Sequence, residues 1–136
     1  MKKLVTLCLL GALSIAWIAP SSLAMTQFRV AFKKKYVDNG ATGLKEAYTK
    51  ASCLLCHMKG EDKKLRNQYG EELSKLIEGN ANQRMKDAGP KRKEELEKIL
   101  AELDKAFTEV AKMKSPNGDT YGERIGAGKL PVDPEP

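Results

Sequence analysis

The chain has 136 residues, 41% hydrophobic and 31% charged, with a formal net charge of +6. That length allows one small domain. The charge excess is too mild for a nucleic-acid binder, which needs a dense basic patch.

Met1-Lys2-Lys3 is a short positive start, Leu4 to Ile18 is apolar, and small residues close the segment at Ser22 and Ala24. This is the pattern of a secretory signal peptide over residues 1–24, with cleavage expected after Ala24. The apolar run falls short of the roughly 20 residues that span a bilayer, so cleavage is favoured over a retained anchor. Cys8 lies mid-run after bulky Leu7 and reads as an inert part of the signal. The expected location is the periplasm or an equivalent extracytoplasmic compartment, with no membrane span left after cleavage. Lys2 and Lys3 leave with the signal and no acid does, so the remaining domain, residues 25–136, keeps 22 of 24 basic residues and all 18 acidic ones.

Met25 to Val37 reads as a helix, with Phe28, Ala31, Phe32 and Tyr36 at helical spacing and Lys33-Lys34-Lys35 on the other side. Asp38-Asn39-Gly40 is a turn. Thr42 to Ala51 is a second helix, with Leu44, Ala47, Tyr48 and Ala51 on one side. The aromatic residues here serve equally as plain core or as walls of a cofactor pocket.

The next five residues, Cys53-Leu54-Leu55-Cys56-His57, carry the chemistry. C-x-x-C-H is the pattern of covalent haem c attachment. Two thiols three positions apart share one face of a helical turn and reach two vinyl groups of one porphyrin. The histidine that follows is the expected proximal ligand to the iron. His57 is the only histidine, and Cys53 and Cys56 are the only cysteines after the signal. A thioredoxin-like redox pair would need a βαβ setting, of which the chain gives no sign. A structural zinc site would need a fourth ligand. Export fits the haem reading, because cysteines in an oxidising space otherwise end in disulfides. A porphyrin would also add apolar surface to a small core.

Met58 to Lys64 reads as a surface loop. Leu65 to Glu78 is expected to be a helix, with Leu65, Tyr69, Leu73, Leu76 and Ile77 inward and Gly79-Asn80 as its stop. Gly70 inside it costs about 1 kcal/mol against alanine. It is either tolerated or lets a backbone or cofactor edge come close. Ala81 to Gly89 is polar and gives no long helix. Pro90 suits a first helical position, and Lys91 to about Lys114 is the longest amphipathic helix, with a stripe from Leu96 to Val110. Ser115-Pro116-Asn117-Gly118 breaks it, a short helix is expected near Thr120 to Ile125, and residues 131–136 are an irregular, proline-rich and frayed tail. No stretch alternates as a strand. The expected fold is all-α, a single cytochrome c-like domain of about four helices and a short fifth around one haem, either in a crossed-helix cytochrome c arrangement or as a small bundle clasping the haem.

The sixth iron position has three solutions. Met85 precedes the long helix, the usual order for a distal methionine. Met113 lies at that helix's end, about 90° off the apolar stripe, and would need unwinding to point inward. Met58 follows the proximal ligand directly and cannot wrap to the opposite face. Without a methionine, the position is open or taken by water, a lysine or a tyrosine.

Cys53-Leu-Leu-Cys-His57, Lys-Lys-Leu-Arg-Asn-Gln-Tyr-Gly at 63–70, Thr-Tyr-Gly-Glu-Arg-Ile at 120–125 and Gly-Lys-Leu-Pro at 128–131 together resemble the small secreted monohaem c-type cytochromes of planctomycete type. The resemblance implies a helical fold, an exported location, haem c bound at Cys53 and Cys56, and iron ligation by His57. A related heterodimeric cytochrome of anammox bacteria uses histidine/cysteine ligation and binds nitric oxide. This chain departs from it, because no cysteine follows Cys56. The expected function is single-electron transfer between redox partners, without enzymatic activity. The alternatives are a module for nitric oxide or carbon monoxide and a haem subunit of a larger complex. Residues 25–52 carry six basic and two acidic residues, an excess that would steer an acidic partner.

Overall fold

The computed structural model describes residues 23–60 and 65–134, which form six α-helices and no strand. They are α1 (Leu23–Phe32), α2 (Thr42–Ala51), α3 (Gln68–Lys75), α4 (Ala81–Asp87), α5 (Arg92–Val110) and α6 (Tyr121–Gly126). The domain is all-α, as its periodicity predicts. Of the expected signal peptide, residues 1–22 lie outside the described residues. Among the described residues no helix is long and apolar enough to cross a membrane.

α1 runs on as one π-helical turn over Lys33–Val37, in which the Asp38 N–H donates to the Lys33 carbonyl at 3.0 Å. The expected helix to Val37 is therefore present but wider at its end. Two bonds to α5 hold the widened turn. Lys35 Nζ reaches Asp104 at 2.6 Å, and the Tyr36 hydroxyl donates to the Phe107 carbonyl at 3.1 Å. α2 keeps its expected bounds and buries Leu44, Tyr48 and Ala51.

Phe32 is the centre of the core. Its ring lies 5.1 Å from Tyr36, 5.8 Å from Phe107, 6.1 Å from Tyr48 and 6.2 Å from Tyr69. Aromatic pairs at these separations add about 0.5–1.5 kcal/mol each beyond area burial. Leu44, Leu103 and Val110 fill the space around them. The stripe of α5 from Leu100 to Val110 thus faces the same core as α1, α2 and α3, while Leu96 and Ile99 pack in a second cluster with Met85.

α3 is shorter than its apolar pattern suggests. Leu65 and Leu76, read as inward, are 55% and 41% exposed. The helix cannot start at Leu65, because the Asn67 side chain caps it, accepting from the Gly70 N–H at 2.9 Å. Residues before Asn67 are used instead in a short antiparallel bridge between Arg66 and His57.

α4 is short, in keeping with its polar sequence, and has one buried apolar residue, Met85. Asn80 caps it, and charge holds it. Arg84 bonds Glu95 at 2.7 Å, both oxygens of Glu102 at 2.8 Å, and the Glu78 carbonyl at 2.9 Å. Bidentate guanidinium–carboxylate pairing of this kind is stronger than neutral hydrogen bonds.

α5 stops at Val110, short of the expected Lys114. α6 captures the backbone that would have continued it. The Gly122 N–H donates to the Ala111 carbonyl at 2.9 Å and the Tyr121 N–H to the Met113 carbonyl at 3.0 Å. A Cβ at Gly122 would stand 2.8 Å from the Ala111 oxygen, so glycine is what admits this approach. α6 itself begins with a full capping box between Thr120 and Glu123.

The chain beyond α6 is irregular but not loose through Asp133. Leu130 and Pro131 are buried. Arg124, 3% exposed, donates from Nε to the Leu130 carbonyl at 3.0 Å and from Nη2 to Asp133 at 2.6 Å. The buried arginine thus straps this segment down as far as Asp133.

Candidate functional site

The C-x-x-C-H residues occupy a tight turn set up by α2. Ser52 ends that helix at φ +50°, ψ −113°, and is the one non-glycine residue with positive φ among the described residues. This sharp reversal starts a 3-10 turn, Ser52–Leu55. The N–H groups of Cys56 and His57 both donate to the Cys53 carbonyl, at 3.3 and 3.1 Å. The turn gathers two thiols and an imidazole into five consecutive residues without a strand.

Asn67 clamps this turn. Its Nδ2 donates to the carbonyls of Leu54 at 3.0 Å and Leu55 at 3.1 Å, and its backbone N–H donates to the Cys56 carbonyl at 3.0 Å. Its Oδ1 caps α3 at the same time. One side chain therefore fixes the C-x-x-C-H turn to the start of a helix. Gly70 completes the junction, since a Cβ there would lie 2.1 Å from the Cys56 oxygen.

The His57 ring is oriented by one contact. Its Nδ1 lies 3.2 Å from the Leu65 carbonyl. A carbonyl only accepts, so Nδ1 is the donor and Nε2 is the ring nitrogen left outside this bond.

His57 lines a cleft of about 360 Å³. One wall comes from the motif and its bridge partner, with Leu54, Met58, Lys59 and Arg66. The other comes from the C-terminal part of the chain, with Pro116, Asn117, Val132, Asp133 and Pro134. Cys53 is exposed, whereas Cys56 packs against the core, and both are free thiols. Burial pushes the Cys56 thiol up to about 12, with Arg66 opposing and Cys53 adding to the rise. Next to it, Tyr69 is fully buried, 5.2 Å from the Tyr121 ring, and neither hydroxyl has a partner among the described residues. Burial first, then Cys56, Tyr36 and Tyr121, raises the Tyr69 phenol well above its usual range.

The two methionines considered for the sixth position sit elsewhere. Met85 is 5% exposed in a second cluster with Ile99. The helix does unwind before Met113, but that side chain packs against the main core. Neither lines the cleft, while Met58 does. Of the lysines at the end of α1, Lys33 pairs with Asp38 and Lys35 with Asp104, and Lys34 alone has no carboxylate partner among the described residues.

The donor set fits a haem c. The group would be held by the two thiols of one turn and an imidazole, with two cations, Lys59 and Arg66, for its two carboxylates; of these groups His57, Lys59 and Arg66 line the cleft, and neither thiol does. Sequence reasoning missed Asn67, Arg124, Asn117 and Asp133. Asn67 was marked only by Asn-x-x-Gly before a helix, and nothing in sequence distinguishes Arg124 from the other basic residues. Compared with family models, curated proteins and solved structures, the chain gives no match.

Proposed function

We propose that this protein is an exported monohaem c-type cytochrome that carries single electrons between redox partners. The observation that carries the reading is the C-x-x-C-H turn with its imidazole tied through Nδ1 to the Leu65 carbonyl and set beside a cleft. Cys53 and Cys56 would anchor the haem by thioether bonds, and the free Nε2 of His57 would ligate its iron. When bound, the group supplies a metal that takes up and releases one electron. The chain's own part is to hold and orient it. Asn67 pins the turn, Leu54 and Val132 would put apolar surface against the group, and Lys59 and Arg66 would balance its carboxylates. The reading requires no acid–base step of the chain, and its sole histidine would be taken up by the metal.

A potentiometric titration followed by visible spectra tests the reading. It predicts one fully reversible transition with a slope of one electron per protein. A colourless protein, or a pigment that cannot be cycled, contradicts it.

One observation favours a second reading, binding of a small gas. Neither Met85 nor Met113 lines the His57 cleft. A weakly held sixth position would leave room for nitric oxide or carbon monoxide.

A further inference from the structure

We infer that Asn39 is a site of spontaneous covalent modification, its side-chain amide being lost to attack by the Gly40 backbone nitrogen, while the fold protects the like pair Asn117-Gly118. The inference goes beyond the haem reading and does not depend on it.

The chain contains two asparagine–glycine pairs, at 39–40 and 117–118. The fold requires the glycine in each. A Cβ on Gly40 would stand 2.0 Å from the Tyr36 carbonyl oxygen. Gly118 has φ +94°, a conformation that strains any residue with a side chain. Glycine also leaves its own nitrogen unshielded, because no side chain stands beside it. Both asparagines are exposed, so water reaches them.

The reaction is a ring closure followed by hydrolysis, the route by which asparagine is thermolabile. The Gly40 nitrogen attacks Asn39 Cγ. A bond forms between these two atoms, the bond from Cγ to Nδ2 breaks, and the Gly40 amide proton leaves with Nδ2 as ammonia. Water then opens the cyclic imide at either carbonyl. One product is aspartate, and the other is isoaspartate, whose backbone runs through the former side chain. Nothing is oxidised or reduced.

Hydrogen bonding separates the two pairs. At the first, the Gly40 N–H donates to the Val37 carbonyl at 3.2 Å, and the Asn39 amide has no partner among the described residues. At the second, three bonds oppose ring closure. The Gly118 N–H donates to the Ser115 carbonyl at 3.1 Å, and the Asn117 N–H to the Ser115 hydroxyl oxygen at 3.2 Å. The amide that must leave, Asn117 Nδ2, donates to Asp133 Oδ2 at 3.2 Å. Asp133 is in turn anchored through Oδ1 to Arg124 Nη2 at 2.6 Å, and Arg124 is almost wholly buried.

The position gives the change a consequence. Asn39 lies between the π-helical turn and α2, the helix that leads into the C-x-x-C-H turn. Isoaspartate would lengthen the backbone where Gly40 already meets the Tyr36 oxygen, and either product sets a new carboxylate beside Asp38, the partner of Lys33.

The test ages the purified full-length protein in warm, mildly alkaline buffer. Peptide mass spectra follow residues 39 and 117 while released ammonia is assayed. Residue 39 should convert roughly ten-fold faster than residue 117, the worth of the two extra bonds. Unfolding in guanidinium chloride should bring the two rates together. Asp133→Ala should speed loss at Asn117 roughly three- to ten-fold, the effect of one hydrogen bond, and leave Asn39 unchanged. Equal rates in the folded wild type overturn the inference, and that comparison needs no variant to fold. So does a contrast that persists in denaturant, since sequence and not fold would then be its source.

Discussion

Gly70 lies so close to the backbone of Cys56 that a Cβ on it would stand 2.1 Å from the Cys56 oxygen and 3.0 Å from the carbonyl carbon. Glycine is therefore required where a helix that would prefer alanine packs onto the C-x-x-C-H turn. Gly70→Ala must push the two apart and should cost about 1–3 kcal/mol, as overpacking does. Gly126→Ala is the control. Nothing lies within 4 Å of its added methyl, so stability should hold or rise slightly. Thermal unfolding of the two variants measures the contrast.

Asn67 does two things that substitution can separate. Asn67→Ser keeps an oxygen to cap α3 but loses the Nδ2 bonds to Leu54 and Leu55. It should lower stability by about 1–2 kcal/mol, the worth of two such bonds. Equal urea midpoints for Asn67→Ser and wild type would show that the clamp contributes nothing.

Ser52 holds a backbone conformation that disfavours a side chain. Ser52→Gly should leave stability equal or raise it by up to about 1 kcal/mol, whereas β-branched Ser52→Val should lower it by more. Destabilisation by glycine would mean that no strain is stored ahead of Cys53.

Stability should fall in acid through Glu102. The Arg84 hydrogen bond, with help from the Glu78 N–H, holds the Glu102 carboxyl below its usual value of 4.5. A depressed carboxyl stabilises the fold above its unfolded value and loses that contribution as pH drops through the folded value. Unfolding free energy should therefore decline below about pH 4.5, and Glu102→Gln should flatten that acid limb. Denaturant titrations from pH 3 to 7 read the slope directly.

Helices with a continuous apolar face were legible in sequence, and α2 and the stripe of α5 stand where periodicity put them. What periodicity could not see was polar. α4 depends on Arg84 reaching Glu95 and Glu102, carboxylates 11 and 18 residues away. α3 starts late because Asn67 is needed as clamp and cap together, which leaves Leu65 outside. The C-terminal segment is tied down by one buried arginine that sequence cannot tell from the solvated ones. At the site, the three chemically distinctive residues were plain from spacing alone. Gly70 was legible as a possible close approach, but Asn67 was not, because it acts through contacts to a turn 11 to 13 residues away. The lysine excess near the start of the domain is also smaller in effect than its count, since Asp38 and Asp104 neutralise two of the three lysines at the end of α1.

Covalent attachment of one haem is the claim on which the functional reading stands. The direct measurement is the mass and pigment of protein matured in a host with working cytochrome assembly, after acid–acetone extraction. The account predicts one haem mass retained by the wild type, with colour lost from the doubly substituted Cys53→Ser, Cys56→Ser protein. A wild-type chain of unmodified mass, or one that gives up all its pigment to the solvent, would contradict it.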